Sequence, residues 1–265
     1  MMGLVPSEAG VGTTGRNTTA DRAIDVLFLF EVDNPVLSAG DIAERLGMSR
    51  STTYRYLQSL RASNLLEEDA VRGGFRLGSR IFELARVARE GLGLSEIALP
   101  IMRDLAREVD ETVLLTRRSG NMAVCVERVE IARPIRLSYE RGHLLPLHAG
   151  APAKVLLAYE ERADSIVDEL APFEHFTDTT ITDPDELRSE LARIRERGYA
   201  VSNGERDAGV RGVGAPVFGP DGRIAAGISV GCLAFETSED DLPAVIDAVR
   251  AAAQRVTERL VEIGG

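Results

Sequence analysis

The stretch SAGDIAERLGMSRSTTYRYLQSLRA, residues 38–62, predicts two helices joined by a tight turn. In the first helix Ile42, Ala43 and Leu46 share one face, and Gly47 can adopt the left-handed conformation that ends a helix. Ser49 is a suitable N-cap for the second helix. The buried face of that helix is predicted to carry Thr53, Tyr56, Leu57 and Leu60. This spacing is typical of a helix-turn-helix, although an ordinary amphipathic helical hairpin shares it.

The opposite face of the second helix carries hydrogen-bond donors. Such side chains read phosphates and base edges when a helix lies in the major groove of DNA. The candidates for DNA contact on this helix are Ser49, Arg50, Ser51, Thr52, Tyr54 and Arg55.

The segments on either side of this hairpin strengthen the prediction. From Thr19 the run TADRAIDVLFLFEV places Ala23, Val26, Leu27 and Phe30 on one face of a supporting helix. After the hairpin, Leu65-Leu66, a turn at Gly73-Gly74 and a returning Phe75-Arg76-Leu77 predict a β-wing. On this wing Arg72 and Arg76 could reach the phosphate backbone or the minor groove. Three helices followed by a basic hairpin form a winged helix-turn-helix, which we assign to residues 19–78.

Charge is distributed unevenly along the chain. The net charge of −11 at first argues against a nucleic-acid partner. From Arg45 to Arg80 inclusive, however, the chain has seven arginines and three acidic residues, a net charge of +4. From residue 81 onward, 22 basic and 32 acidic residues give −10. A basic module is therefore joined to an acidic one, and double-stranded DNA remains a plausible partner of the first.

The composition of the N-terminus and the scarcity of cysteine exclude several classes. Residues 1–18 are rich in Gly, Thr and Ser and predict a disordered tail, and their formal GxGxxG follows no strand. Since no apolar run of 18 residues and no signal peptide is present, we expect a cytoplasmic protein without a membrane span. Cys125 and Cys232 lie far apart in apolar runs, so we expect buried thiols and neither a metal site nor a cofactor.

An enzyme is the first alternative. A cysteine paired with His148 could in principle form a nucleophilic dyad. Nothing in the sequence resembles a nucleophile elbow, a metal-ligand cluster or a phosphate loop, so we predict no catalytic residue. The second alternative is a ligand-responsive adaptor that acts through protein contacts alone, which would leave the basic face of residues 50–58 without a role.

Two further segments complete the predicted organisation. SRIFELARVAREGLG, residues 79–93, predicts a linker helix whose apolar face (Ile81, Leu84, Val87, Ala88) has no partner in its own domain, so we expect a second copy of the chain to cover it. Residues 94–265 predict a mixed domain in the order α-βββ-α…α-βββ-α, which is typical of GAF-like or PAS-like small-molecule sensors. Its first helix is expected to be capped by Ser95, and its first three strands to be TVLLTRRSG, MAVCVERVE and PIRLSYE. The predicted class is α+β with an antiparallel sheet.

Three motifs in order resemble the IclR family of bacterial transcription regulators. They are LSAGDIAERLGMSRSTTYRYLQSL, PLHAGAPAKVLLA and GVRGVGAPVFGPDGRIAAGISVG, and the resemblance extends from about residue 19 to the end of the chain. It implies a homodimer, often a dimer of dimers, whose C-terminal domain binds a small effector and thereby alters operator affinity. Many members of the family, repressors and activators alike, control catabolic operons for small organic acids.

The resemblance also implies an effector pocket. A helix beginning near Ala151, with Pro152 in its first turn, would direct unpaired backbone N–H groups at a ligand carboxylate. Where the family usually has glycine and another small residue, this chain has Ala153 and Pro152. The other positions carried over are Leu137, Leu145, Ser202, Val210, Gly212, Ser229 and Gly231. Because Gly212 and Gly231 withhold side chains, we expect room for an organic acid with an apolar or aromatic body. The alternative is that these small residues only satisfy strand and helix packing.

Overall fold

The structure is a computed structural model, and it describes residues 19–90, 93–131, 139–234 and 240–264. Contacts divide the chain into two compact units, with the division between Ala88 and Arg89. Each unit has a hydrophobic core of its own. No helix in these ranges is long and apolar enough to cross a membrane.

The first unit is a winged helix-turn-helix, as predicted. It contains three helices and a two-stranded antiparallel wing: α1 (Thr19–Leu27), α2 (Ala39–Arg45), α3 (Arg50–Ala62), β1 (Leu66–Asp69) and β2 (Gly74–Leu77). Phe30 lies beyond the end of α1, so the first helix is shorter than its apolar pattern suggested. Its side chain nevertheless packs, partly buried, against the same core.

Local signals in the sequence explain where α2 and α3 begin and end. Ser38 and Asp41 form a capping box at the start of α2. After α2 the chain turns at Gly47, whose φ of +60° is readily adopted only by glycine. Ser49 then caps α3, since its side chain accepts a hydrogen bond from the backbone N–H of Thr52 at 3.3 Å. The predicted positions of the turn and of the Ser49 cap are confirmed, and the Ser38 cap was not predicted.

The helix α4 (Arg80–Glu90) coincides with the predicted linker and exposes apolar side chains. Phe82 is 77% exposed and Val87 58%, while Leu84 is also exposed and Ile81 is half-buried. Ala88 of the predicted face lies outside the described side chains. Within one chain, the apolar surface of α4 is therefore largely uncovered.

The second unit is built on a six-stranded sheet. Its elements are α5 (Leu94–Val109), β3 (Thr112–Ser119), β4 (Met122–Val129), β5 (Leu144–Pro146), α6 (Ala151–Ala158), α7 (Ala163–Leu170), α8 (Pro184–Arg197), β6 (Ala200–Asn203), β7 (Val210–Phe218), β8 (Ile224–Leu233) and α9 (Leu242–Gly264). The strand order is β5-β4-β3-β8-β7-β6, and every neighbouring pair is antiparallel. The predicted α+β class is confirmed.

Alternation along the central strands sorts side chains onto two faces of the sheet. Val113, Val213 and Ile228 belong to the core that holds α5 and α9. Residues of opposite parity, such as Thr116 and Gly227, face α6, and Thr116 Oγ1 donates a hydrogen bond to the carbonyl of Pro152 at 3.2 Å. A second core joins α6, α7 and α8. The sheet is thus covered on both faces.

Two predicted details of this unit differ from the structure, and a third falls mostly outside the described residues. Ser95 is not a cap: Gly93 occupies the N-cap position of α5 in a left-handed conformation, and Ser95 is buried inside the helix. The strand β5 lies in a segment predicted to be a loop. The predicted strand PIRLSYE falls mostly outside the described residues, which resume at Tyr139.

Candidate nucleic-acid interface and ligand cavity

The outer face of α3 carries the residues predicted to contact DNA. Arg50, Ser51, Tyr54 and Arg55 are exposed, and Thr52 is half-buried. They share a side of α3 because residues four positions apart lie one helical turn apart. Ser49 is placed differently, since its hydroxyl is engaged in the cap and donates to Thr52 Oγ1 at 2.9 Å. The Ser49 hydroxyl therefore caps α3 and would have to leave these hydrogen bonds in order to contact DNA.

An open groove separates α3 from the wing. It is lined by the start of α2 (residues 38–40), by Arg50 and Tyr54 of α3, and by residues 68–70 and 73–75 of the wing. The two wing carboxylates that line it are already engaged. Glu68 pairs with Arg61 at 2.5 Å, and Asp69 accepts the backbone N–H of Arg72 at 2.8 Å. Hydrogen bonds from Arg72 and Val71 hold the pKa of Asp69 below its usual value.

The two wing arginines have different surroundings. The side chain of Arg76 pairs with Glu67 across the hairpin at 3.3 Å, and both side chains are substantially exposed. Arg72 lies in the turn, and its guanidinium makes no ion pair with any residue that the structure describes. Arg72 is therefore free to meet a phosphate, whereas Arg76 must first leave Glu67.

We expect Arg72→Ala to weaken DNA binding and to reduce the salt slope of binding by about one unit. When a phosphate contact is lost, about one counterion stays on the DNA that the wild-type protein would have released. Arg76→Ala should reduce the slope less, since its contact competes with Glu67. Neither change should alter which base pairs matter. Competition titrations with single-base variants of the DNA site, at several salt concentrations, would measure both effects. If Arg76→Ala changed the base preference and left the slope intact, the wing would be a base reader.

A narrow cavity lies between the start of α6, the strands β3, β7 and β8, and the loop that follows β6. Its volume is about 30 Å³, which is small beside the roughly 150 Å³ of a cavity that binds benzene. Of the nine predicted pocket positions, seven line it: Leu145, Pro152, Ser202, Val210, Gly212, Ser229 and Gly231. Ala151 lies beside the cavity, with its N–H bonded to Ser202 Oγ at 3.1 Å. Leu137 lies outside the described residues.

The N–H groups at the start of α6 are not unpaired, which differs from the prediction. Gly150 N donates to Glu205 Oε2 at 2.9 Å, and Ala151 N donates to Ser202 Oγ. Pro152 has no N–H, and Ala153 N donates to the carbonyl of Gly150. Since these donors are already satisfied by the protein, a ligand carboxylate could use them only by displacing Glu205 or Ser202.

The surroundings of Gly212 also differ from the prediction that its missing side chain leaves room for a ligand. A Cβ atom at this position would lie 2.8 Å from Ser202 Oγ and 3.3 Å from the Cβ of Ala151. The missing side chain thus makes room for the close approach of α6 and β6, so the expected space for a ligand is already filled at this point.

Lys154, the only lysine in the chain, connects α6 to Glu190 of α8 and to Glu205 in the loop after β6. It is 1% exposed, and its Nζ lies 2.5 Å from Glu205 Oε1 and 3.6 Å from Glu190 Oε1. Arg193 and Arg197 also pair with Glu190. Burial alone would raise the pKa of Glu190, but Lys154 and these arginines outweigh it and bring the pKa below its usual value. The group is a network of two buried carboxylates and three cations, of which only Lys154 is fully buried.

Four polar residues of the cavity wall were missed in the sequence: Tyr139, Glu205, Arg206 and Asp207. The guanidinium of Arg206 lies over the Tyr139 ring, 5.2 Å from its centre, and Arg206 Nη2 lies 3.1 Å from His143 Nε2. The Tyr139 hydroxyl donates to Asp207 Oδ2. The one available signal was that Arg206 and Asp207 stand shortly before Val210, a predicted pocket residue.

The candidates for nucleophilic chemistry are occupied by structural contacts. The His148 ring stacks on Phe173, 4.9 Å between centres, and its Nε2 bonds to the carbonyl of Glu174. Cys125 Sγ contacts the carbonyl of Glu127, and burial raises the pKa of this thiol to about 11. The thiol is therefore protonated near neutral pH.

Comparison with known proteins identifies both units. The family model for the IclR helix-turn-helix domain matches residues 19–70, and the model for the bacterial transcriptional regulator IclR C-terminal domain matches residues 87–258. The chain belongs to the IclR family. The predicted resemblance is confirmed, and this IclR protein is a DNA-binding transcription regulator with an effector-binding domain, not an enzyme.

Relatives of this IclR protein match nearly its whole length. The HTH-type transcriptional regulator BhcR of Paracoccus denitrificans is 35% identical, over 94% of this chain and 89% of its own. KipR of Bacillus subtilis is 32% identical, over 92% and 98%. An IclR homologue from Microbacterium hydrocarbonoxydans, solved in complex with 4-hydroxybenzoate, superposes with a TM-score of 0.79 at 26% identity, over 92% of this chain and 99% of its own.

Proposed function

We propose that this regulator binds a two-fold-symmetric DNA operator as a homodimer and that two such dimers can assemble into a dimer of dimers. A small organic acid controls its affinity for the operator. It would act in the cytoplasm on a catabolic or metabolic operon. The observation that carries the proposal is the face of α3, where Arg50, Ser51, Tyr54 and Arg55 are exposed beside an open groove and a wing that carries two arginines.

The surface of α4 supports the homodimer. Phe82, Leu84 and Val87 are exposed large apolar side chains on one helix. Leu84 and Val87 lie about one helical turn apart on the same side of α4, and contiguous apolar surface is characteristic of interaction sites. A second copy of the chain would cover it and would pair two α3 helices about a two-fold axis, as two half-sites of an operator require.

The cavity of the second unit supports an acid effector. Leu114, Leu145 and Val210 provide apolar walls, and a cation, Arg206, lies among them. The relative solved with 4-hydroxybenzoate shows that an IclR homologue of the same fold holds an aromatic acid. For the acid to regulate, it must bind one conformation of the protein more tightly than another, because a ligand shifts an equilibrium only by that difference.

The operator proposal is tested on a DNA site selected from a random pool by the purified wild-type protein. We expect the dissociation constant to rise about 5- to 100-fold in Arg50→Ala and in Arg55→Ala, as the loss of about 1–3 kcal/mol of contact would give. Gel-shift titrations at several salt concentrations measure this, and sedimentation of the complex should show two chains per site. Arg223→Ala, which removes an exposed arginine paired with Glu161, is the matched control.

Circular dichroism would show that the variants remain folded. Full-strength, salt-insensitive binding by both α3 variants would remove this helix from its proposed part. If the wild type selected no DNA at all, the alternative of an adaptor that works through protein contacts would take its place.

A further inference from the structure

Two polar atoms of the cavity wall are buried and lack a hydrogen-bond partner among the residues that the structure describes. One is Arg206 Nη1 and the other is the hydroxyl of Ser229, a residue that is 1% exposed. A buried polar atom without a partner costs about 1–3 kcal/mol, so such atoms in a ligand cavity indicate where a ligand makes its bonds.

The charge of Arg206 is also unbalanced. His143, which faces Arg206 Nη2, has a pKa lowered by burial and by Arg206 itself, so it is neutral and accepts the hydrogen bond without supplying negative charge. The two carboxylates of the cavity wall are engaged elsewhere: Asp207 accepts from the Tyr139 hydroxyl, and Glu205 binds Lys154 and Gly150 N. Among the described residues, no carboxylate forms an ion pair with Arg206.

Besides Arg206, the cavity wall offers fewer groups that could bind a ligand carboxylate than the family resemblance implied. The first N–H groups of α6 are held by Glu205 and Ser202, and Pro152 contributes none. Lys154 is buried against two glutamates. Arg206 is thus the cation of the cavity wall that retains an unused donor.

We infer that Arg206 binds the carboxylate of the effector through Nη1 and that the Ser229 hydroxyl binds a second polar group of the same molecule. This inference rests on the proposed effector function and specifies its ligand. The class is a monocarboxylic acid with an apolar body, which fits Leu114, Leu145 and Val210, and with a hydroxyl or carbonyl group apart from the carboxylate.

The size of the cavity adds a requirement. About 30 Å³ is too little for an aromatic ring, so a wall side chain must move when such an acid enters. Tyr139 is half-buried, covers the Arg206 guanidinium with its ring and is tied through its hydroxyl to exposed Asp207. The acid takes the place of this ring beside Arg206.

Isothermal titration of the full-length protein with three probes tests the inference. The probes are 4-hydroxybenzoate, its neutral counterpart 4-hydroxybenzamide, and benzoate, which lacks the hydroxyl. The wild type should bind the acid at least about tenfold more tightly than the amide, since hydrogen bonds to charged groups are the stronger ones. Arg206→Gln should weaken the binding of 4-hydroxybenzoate about 10- to 100-fold and leave the binding of the amide nearly unchanged. Ser229→Ala should remove most of the preference for 4-hydroxybenzoate over benzoate, about 2- to 10-fold.

Arg223→Gln, an exposed arginine distant in the sequence from the cavity loop, is the matched control and should bind all three probes as the wild type does. Arg206→Gln with unchanged affinity for 4-hydroxybenzoate would overturn the assignment of Arg206. So would a wild-type protein that does not distinguish acid from amide, or that binds none of the probes at millimolar concentration. Operator binding in the gel-shift titration is measured separately, so the DNA-binding function can stand when this assignment falls.

Discussion

Lys154→Met should lower the free energy of unfolding of the second unit by about 3–5 kcal/mol, the usual cost of removing one partner from a buried ion pair. Methionine has a similar length and an unbranched side chain, so the change removes charge with little change in packing. It leaves Glu205 and Glu190, which are both buried, without the cation that lies 2.5 Å and 3.6 Å from them. Chemical denaturation followed by far-ultraviolet circular dichroism would measure the loss.

The double variant Lys154→Met/Glu205→Gln separates lost charge balance from lost packing. A glutamine can still accept the N–H of Gly150 at this position but carries no charge, so the double variant should recover part of the stability. If both variants were equally unstable, packing of the lysine stem, and not the uncompensated carboxylate, would explain the result.

The effect of Lys154→Met should also depend on pH. In the wild type the pKa of Glu190 is lowered, so the ionised group stabilises the fold above its unfolded pKa, and this stabilisation is lost as the pH falls. In the variant, burial without Lys154 moves that pKa upward, which favours the protonated form. The stability gap between wild type and variant should therefore narrow as the pH falls below about 4.5, through the lowered pKa of Glu190 in the wild type.

Gly212→Leu should destabilise the second unit strongly, and it should lose any effector response for that reason. A single Cβ at this position already lies 2.8 Å from Ser202 Oγ, and Ser202 is held in place by its bond to Ala151 N. Overpacking of a close-packed core costs about 1–3 kcal/mol or more, and leucine adds further atoms. From the sequence we expected a ligand in the space beside Gly212, and the structure places Ser202 and Ala151 there.

Gly212→Ala combined with Ser202→Ala provides the control. Ser202→Ala alone should cost about 1–3 kcal/mol because it leaves the Ala151 N–H without an acceptor. Since the serine oxygen is the atom nearest to the added Cβ, the double variant should be more stable than the sum of the single losses predicts. Strictly additive losses in thermal unfolding would show that Gly212 and Ser202 do not press against each other. Full stability of Gly212→Leu would restore the view that this space is open to a ligand.

Much of the first unit was predictable because its signals are local. The caps Ser38 and Ser49, the turn at Gly47 and the turn at Gly73 are specified by residues within a few positions of the feature. The buried face of α3 follows helical spacing. Only the end of α1 was misjudged, since an apolar residue such as Phe30 can join a core without continuing the helix.

The cavity was predictable in outline but not in its chemistry. The sequence could place Ser202 and Ser229 near one another through strand pairing and family resemblance. It could not show that Glu205 occupies the start of α6, because that contact joins residues 55 positions apart. The orientation of Arg206 depends in the same way on a loop, whose conformation has no periodic pattern. The N-cap of α5 was missed because Gly93, and not the more usual serine, begins the helix.

The order of strands in the sheet has a consequence for self-association. Its outermost strands are the shortest: β5 has three residues and ends at Pro146, and β6 has four, whereas β7 and β8 inside the sheet have nine and ten. An exposed strand edge is a template on which another chain can add a strand, and short edges with proline offer little of it. In the described part of the sheet, intermolecular strand addition is therefore disfavoured. Where copies of this protein meet, the described sheet margin favours contacts through helical surfaces such as that of α4 over β-aggregation.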